Sequence, residues 1–367
     1  MDLLKALIYS GPGQLNIQEI PAPQGKTIVE VGYAGICGTD VKTFLKGHPM
    51  FKPPTVLGHE CIGRIARTDA PERDLAEGML VAVAPYAECG VCENCLKGYP
   101  ELCRQKSFAS SGSFCELLGM DTEYANRALF VIPDAQPVYT LMEPLACVFN
   151  GLDKIGLLRN PERSAAQYHT LIIGGGPMGT LFASWFRSQH LPYAILENNP
   201  WRANFLSSRG YRLADAVSPH TYDGIIVAAG APELAESAMD PVKDGGDLLL
   251  FAGFPSDTRL TLNPFSIHYR EVSVKGSFGY ALAHFRQAYR EILGHPALYG
   301  ELVSHLFPLE DYALAFQKAI SGEAMKVVFL VNPCLLYTSD AADDLLCVDL
   351  GGRRIIKKKS ISIINQW

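Results

Sequence analysis

One stretch limits the fold of this chain more than any other. Thr170-Leu171-Ile172-Ile173 runs into Gly174-Gly175-Gly176-Pro177-Met178-Gly179 and then into the helix-compatible Thr180 to Ser188. A short apolar strand, a G-x-G-x-x-G turn and a helix form the fingerprint of a dinucleotide-binding βαβ unit. Gly174 permits the tight turn, Gly176 lets the backbone approach a pyrophosphate, and Gly179 lets helix and strand pack closely. The phosphates would then lie at the positive helix N-terminus, where Pro177 and Met178 form the first turn.

The next strand candidate, Tyr193–Leu196, leads to Glu197, 23 positions after Gly174. A carboxylate there accepts hydrogen bonds from both adenosine ribose hydroxyls and repels a 2′-phosphate, which favours NAD over NADP. The simpler alternative is a solvated turn glutamate, because Asn198-Asn199-Pro200 follows directly. Arg202 is a second cofactor candidate and could receive a phosphate.

The rest of the chain is consistent with that unit. Apolar runs at Gly224–Ala228 and Asp247–Phe251 continue the pattern of short strands separated by helix lengths, as in a parallel sheet covered on both faces. Gly230 and Gly253, at the ends of these strands, would let a nicotinamide ring approach the backbone, although they could be simple turns. Before Glu143 the texture differs: Gly and Pro are frequent, and short runs such as Lys26–Val31 and Met79–Val83 read as strands joined by turns. Leu282–Leu293 and Leu309–Ile320 look helical, and Lys326–Val331 reads as a final strand. The fold class expected is α/β, with a doubly wound parallel sheet attached to a β-rich domain.

Ten cysteines in 367 residues, without an export signal, argue against a small disulfide scaffold. Four of them form Cys89-x2-Cys92-x2-Cys95-x7-Cys103, enough thiolates to close a tetrahedron around Zn²⁺ with no open position. That points to a structural metal. A nucleic-acid-binding zinc ribbon is disfavoured, since Lys97 is the one basic residue between these ligands. The net charge of -6 and pI of about 5.9 argue the same way. No apolar run approaches the ~18 residues of a transmembrane helix, so a cytoplasmic protein without membrane partners is expected.

A second set of donors is scattered: Cys37 in Gly35-Ile36-Cys37-Gly38-Thr39-Asp40, His59-Glu60 after Gly58, and Glu143-Pro144. One thiolate, one imidazole and one carboxylate can hold Zn²⁺ and leave a fourth position for water or substrate. Each is weak alone, since a lone cysteine or histidine is usually a core residue and Glu-Pro often just starts a helix.

Taken together, GICGTD at 35–40, GHE at 58–60, the four-cysteine lobe and EPLA at 143–146 resemble the zinc-containing medium-chain dehydrogenases. The resemblance runs from about Lys5 to Val331. It implies a GroES-like catalytic domain (1–150 and 285–333) interrupted by a Rossmann NAD-binding domain (151–284). It also implies two zinc ions, one catalytic on Cys37, His59 and Glu143, and one structural on the lobe. By the same match Glu60 could enter the coordination sphere, Asp40 would orient His59, and Thr39 would pass on the alcohol proton. The carboxylate at 143 is similar to the polyol and threonine dehydrogenase branches. Where many relatives have a relay histidine, this chain has Lys42. Either the relay stops at Thr39 and the cofactor ribose or Lys42 serves a substrate acid group, and His48 is a weaker relay candidate. The expected activity is NAD-linked oxidation of a secondary alcohol, a polyol or sugar derivative, by a homo-oligomer (dimer or tetramer). A threonine-type amino-alcohol dehydrogenase and an inactive dinucleotide-binding relative are the alternatives.

Residues 334–367 stand apart. They carry a net charge of +1 against -7 for the preceding chain. Their CLLYTSDAADD string resembles a translated adapter from DNA library preparation, and a non-native tail is expected there. A natural flexible tail with a basic end is the alternative.

Overall fold

The computed structural model describes residues 3–69, 74–159 and 167–333. The segment 334–367 and its adapter-like string lie outside the described residues.

The dinucleotide fingerprint opens a five-stranded sheet in which every neighbouring pair is parallel. Its order is Tyr193–Leu196, Thr170–Ile173, Tyr222–Val227, Val242–Leu250, Ser273–Gly276. An isolated parallel bridge from Ile195 to Leu213 extends it beyond Tyr193–Leu196. The strand order therefore reverses beside Thr170–Ile173, the point at which doubly wound folds bind ligand. Side chains alternate between the two faces of the sheet. Ile172, Ile226 and Leu249 join the large core, whereas Leu171, Ile173, Ile225, Val227 and Leu248 build a second cluster on the opposite side. Burial on both faces explains why these strands read as continuous apolar runs.

The remaining strands form three sheets in which antiparallel pairs dominate. Tyr86–Ala87 and Ser107–Phe108 make a two-stranded one, and Gln14–Pro21, Leu3–Gly11 and Thr55–Val56 a three-stranded one. In the largest, Thr27–Gly35 pairs with Glu60–Arg67, with Leu117–Met120 and with the late strand Lys326–Leu330. The chain thus leaves this sheet, builds the parallel one, and returns. One helix and one strand expectation need adjustment. Leu309–Asp311 is a 3₁₀ turn and the helix proper spans Tyr312–Ile320. The strand expected at Asp247 begins earlier, at Val242.

Helix Met142–Lys154 links the two sheet systems. It packs against helix Leu282–Gly294 on one side and helix Pro177–Ser188 on the other. Buried Asn150 on it donates to Ser277 Oγ and to the carbonyls of Phe278 and Gly279, beyond the last parallel strand. No helix among the described residues is long and apolar enough to cross a membrane.

Candidate metal and dinucleotide sites

The four cysteines form one compact lobe. Sγ atoms of Cys92 and Cys95 are 3.5 Å apart, those of Cys92 and Cys103 3.7 Å, and those of Cys89 and Cys103 3.5 Å. A tetrahedron with Zn–S bonds of about 2.3 Å has S–S edges of about 3.8 Å, so the donor set fits zinc with little movement. Backbone N–H groups of Cys95 and Arg104 pull the Cys92 thiol down to about 6. Desolvation and the Cys92 thiol push Cys95 up to about 12. Four thiols competing for protons in this way are what a divalent cation would relieve.

The second cluster is assembled from separate elements. Cys37 lies at the N-terminus of helix Gly38–Lys46, while His59 and Glu60 stand at the start of strand Glu60–Arg67. Donor atoms of Cys37, His59 and Glu60 all lie within 4.8 Å of one another. Buried Asp40 organises the group. Its carboxylate accepts the N–H of Cys37 at 2.9 Å and of Gly58 at 3.1 Å, and it lies 3.6 Å from His59 Nδ1. That arrangement leaves the other ring nitrogen free as a donor atom. Burial opposes charging the His59 ring, but Asp40 and Cys37 outweigh it and hold its pKa well above the usual histidine value.

Glu143 stands outside that tight group of three, buried in the first turn of helix Met142–Lys154. Burial pushes its carboxyl up to about 7, Glu60 and Asp40 add to the rise, and His59 and Lys326 oppose it. Its field therefore meets that of the cluster, and Cys147 follows one turn later on the same helix.

Lys326 is the residue sequence reasoning missed. Its ammonium donates to both carboxylate oxygens of Glu60, at 2.8 and 2.7 Å, and both side chains are almost fully buried. Burial lowers its pKa, yet the Glu60 charge outweighs burial and raises it. Gly35 makes room for this pair: a Cβ there would come within 2.3 Å of Glu60 Oε2. Glu60 is therefore held by a cation, so moving onto a metal would mean leaving an ion pair. The available signal was a lysine inside the apolar strand Lys326–Leu330, since buried lysines are almost always paired.

The fingerprint turn adopts the expected form. Gly174 has φ +102, and a Cβ on Gly179 would lie 1.8 Å from the Gly174 carbonyl oxygen, so no side chain fits there. Glu197 accepts the Gly175 N–H at 2.8 Å and the Asn199 N–H at 2.7 Å, which fixes its carboxylate beside the turn. Arg202 lies next to Gly176, and its Nε is buried without a hydrogen-bond partner among the described residues. An orphaned guanidinium nitrogen beside a phosphate-binding turn fits an anionic cofactor. Lys42 Nζ lies 3.9 Å from where a Cβ of Gly253 would stand, which brings the Thr39 helix to the C-terminal end of the parallel strands.

An antiparallel-rich sheet, a doubly wound parallel sheet and two groups of donors that could hold a metal ion are thus combined in one chain. Residues 23–133 match the model of the alcohol dehydrogenase GroES-like domain. D-altritol 5-dehydrogenase of Agrobacterium fabrum is 28% identical over 340 residues, 89% of this chain and 99% of that protein. Sorbitol dehydrogenase of Bacillus subtilis is 26% identical, covering 90% and 98%. The crystal structure of an alcohol dehydrogenase from Thermotoga maritima superposes with a TM-score of 0.79 at 20% identity, covering 90% and 100%. Over about nine-tenths of its length the chain is similar to polyol dehydrogenases, and residues 23–133 carry the alcohol dehydrogenase GroES-like domain.

Proposed function

We propose that this chain oxidises a secondary alcohol, a polyol or sugar derivative, to the ketone: CH–OH and NAD⁺ become C=O, NADH and a proton. When bound, zinc would supply Lewis acidity that makes the hydroxyl proton easier to remove, and NAD would accept the hydride. Cys37, His59 and Glu143 would hold the catalytic ion, with Glu60 beside it, and the four-cysteine lobe would hold a structural one. Asp40 orients His59 and Cys37. Thr39 carries the hydroxyl that takes the proton onward, and exposed Lys42 stands one turn further on the same helix. Gly174, Gly176, Pro177, Met178 and Gly179 receive the pyrophosphate, Glu197 the adenosine ribose, and Arg202 lies beside the phosphates.

The observation that carries this reading is the approach of Lys42 to Gly253. It brings the helix that begins at Cys37 against the crevice where a doubly wound fold binds its cofactor. In this reading residues 1–150 and 285–333 form the catalytic part and 151–284 the cofactor part, in a cytoplasmic homo-oligomer. The test is NAD reduction by the purified full chain on a panel of polyols, sugar phosphates and threonine. Turnover of polyols or sugar derivatives, lost in Glu143→Ala together with one zinc, is expected. No NADH from any of them, or normal turnover in Glu143→Ala, overturns the assignment.

A further inference from the structure

Near Cys147, on the helix that carries Glu143, lies an ammonium group that the proposed chemistry does not use. Lys106 is half-buried, and its Nζ lies 4.1 Å from the ring centroid of Tyr86. Among the described residues it makes no hydrogen bond and no ion pair. The nearby carboxylates are committed elsewhere: Glu101 pairs with Lys154 at 2.6 Å, and Glu88 accepts the Leu282 N–H at 3.1 Å. Burial draws the Lys106 pKa below the ordinary lysine value. A desolvated cation supported only by an aromatic face is a cation with room for an anion.

Its surroundings lie within the field of Glu143. The Tyr86 ring stacks on that of Tyr280 at 4.6 Å, and Tyr86 Oη accepts the Tyr280 N–H at 2.9 Å. Phe108 closes the outer side, 6.2 Å from Tyr86. Tyr280 is fully buried, so the stacked pair is a fixed backing for the ammonium. The charge of Glu143 reaches Tyr86, Tyr280 and Cys147, and the charge of Lys106 reaches Cys147. These groups therefore share one electrostatic neighbourhood, which runs from the carboxylate proposed as metal ligand to the free ammonium.

We propose that Lys106, with Tyr86 and Tyr280, forms a subsite for an anionic group on the substrate, so that the alcohol oxidised is a polyol carrying a carboxylate or a phosphate. The Lys106 ammonium pairs with the anion, and the stacked rings of Tyr86 and Tyr280 support the ammonium from behind. The inference rests on the dehydrogenase reading for the reaction, but not for the binding.

The test compares sorbitol, gluconate and sorbitol 6-phosphate in the wild type, Lys106→Met and Lys106→Arg. Initial rates with NAD are combined with calorimetric binding to the NADH-loaded protein. One acidic compound should exceed sorbitol in kcat/KM. Lys106→Met should lower that preference about 10- to 100-fold, mostly through KM, the size of one charge-assisted hydrogen bond. Lys106→Arg should keep most of it. Gluconate and sorbitol 6-phosphate distinguish a carboxylate from a phosphate site. Equal handling of neutral and acidic compounds by the wild type overturns the subsite, as does no binding of either acid. So does a Lys106→Met variant that loses zinc and falls equally on all substrates, because Lys106 would then serve the neighbouring Cys103 lobe. Lys106-dependent binding of an acid without oxidation would reject the dehydrogenase reading and retain the subsite.

Discussion

The four thiols of the lobe come from fifteen consecutive residues, whereas Cys37, His59 and Glu143 come from three distant segments. The lobe stands out from the body of the protein, with Val91 70% and Leu96 76% exposed around it. The second cluster lies at the edge of the core, with Asp40 and Glu60 fully buried. A protruding loop of four like donors can close around a cation by itself. Unlike donors held by separate elements keep the spacing that the scaffold imposes, which in the proposed reading would leave a coordination position for substrate. One region is thus suited to holding the chain together and the other to chemistry.

Reciprocal substitutions would break this comparison most sharply. Cys37→Ala should abolish turnover and remove one of two zinc ions while the thermal transition of the lobe region stays in place. Cys95→Ser should remove the other ion and destabilise the protein, since structural zinc binding is coupled to local folding. Elemental analysis alongside NAD reduction checks both, and a single variant that loses both ions would show that the regions are not independent.

Thr39→Val keeps the side-chain shape and deletes the hydroxyl. Turnover should fall about 10²–10⁴-fold, the usual worth of general acid–base assistance, with zinc content unchanged. Near-normal rates in this variant reject Thr39 as the proton's route.

Lys326→Met tests how much the scaffold contributes to the second cluster. Removing one partner of a buried ion pair should cost about 3–5 kcal/mol, because the Glu60 carboxylate is left buried without its cation. Urea unfolding measures this, and a change below about 1 kcal/mol would mean that Glu60 finds another partner or takes up a proton. The smallest effect expected is on cofactor choice. Glu197→Ala should narrow the preference for NAD over NADP by about 1–3 kcal/mol, the worth of a charged hydrogen bond. Equal kcat/KM for the two cofactors in the unmutated chain removes the basis for that assignment.

Much of the candidate site was legible before any coordinates. The lobe, the fingerprint turn and Glu197 are local features, where spacing alone sets geometry, and the strands Thr170–Ile173 and Tyr193–Leu196 fall where apolar runs and glycines place them. Cys37, His59 and Glu143 were recognisable only as a resemblance, because no spacing relates residues from three segments. Lys326 showed itself only as a lysine opening an apolar strand, with no sign of its partner Glu60, and the grouping of Lys106 with Tyr86 and Tyr280 was not legible at all.

By itself the sequence determined which short-range structures form: a strand–turn–helix that leaves no room for a side chain at Gly179, and a loop with four thiols in reach of one another. Tertiary structure alone decided which distant groups meet. Strand Lys326–Leu330 returns from far along the chain to pair with Thr27–Gly35, and only that antiparallel register carries the Lys326 ammonium to Glu60. Helix Met142–Lys154 likewise carries Glu143 into the field of His59. The physical reason is that hydrogen-bonded turns and glycine sterics act over a few residues, while charge pairing in a core depends on sheet register and packing.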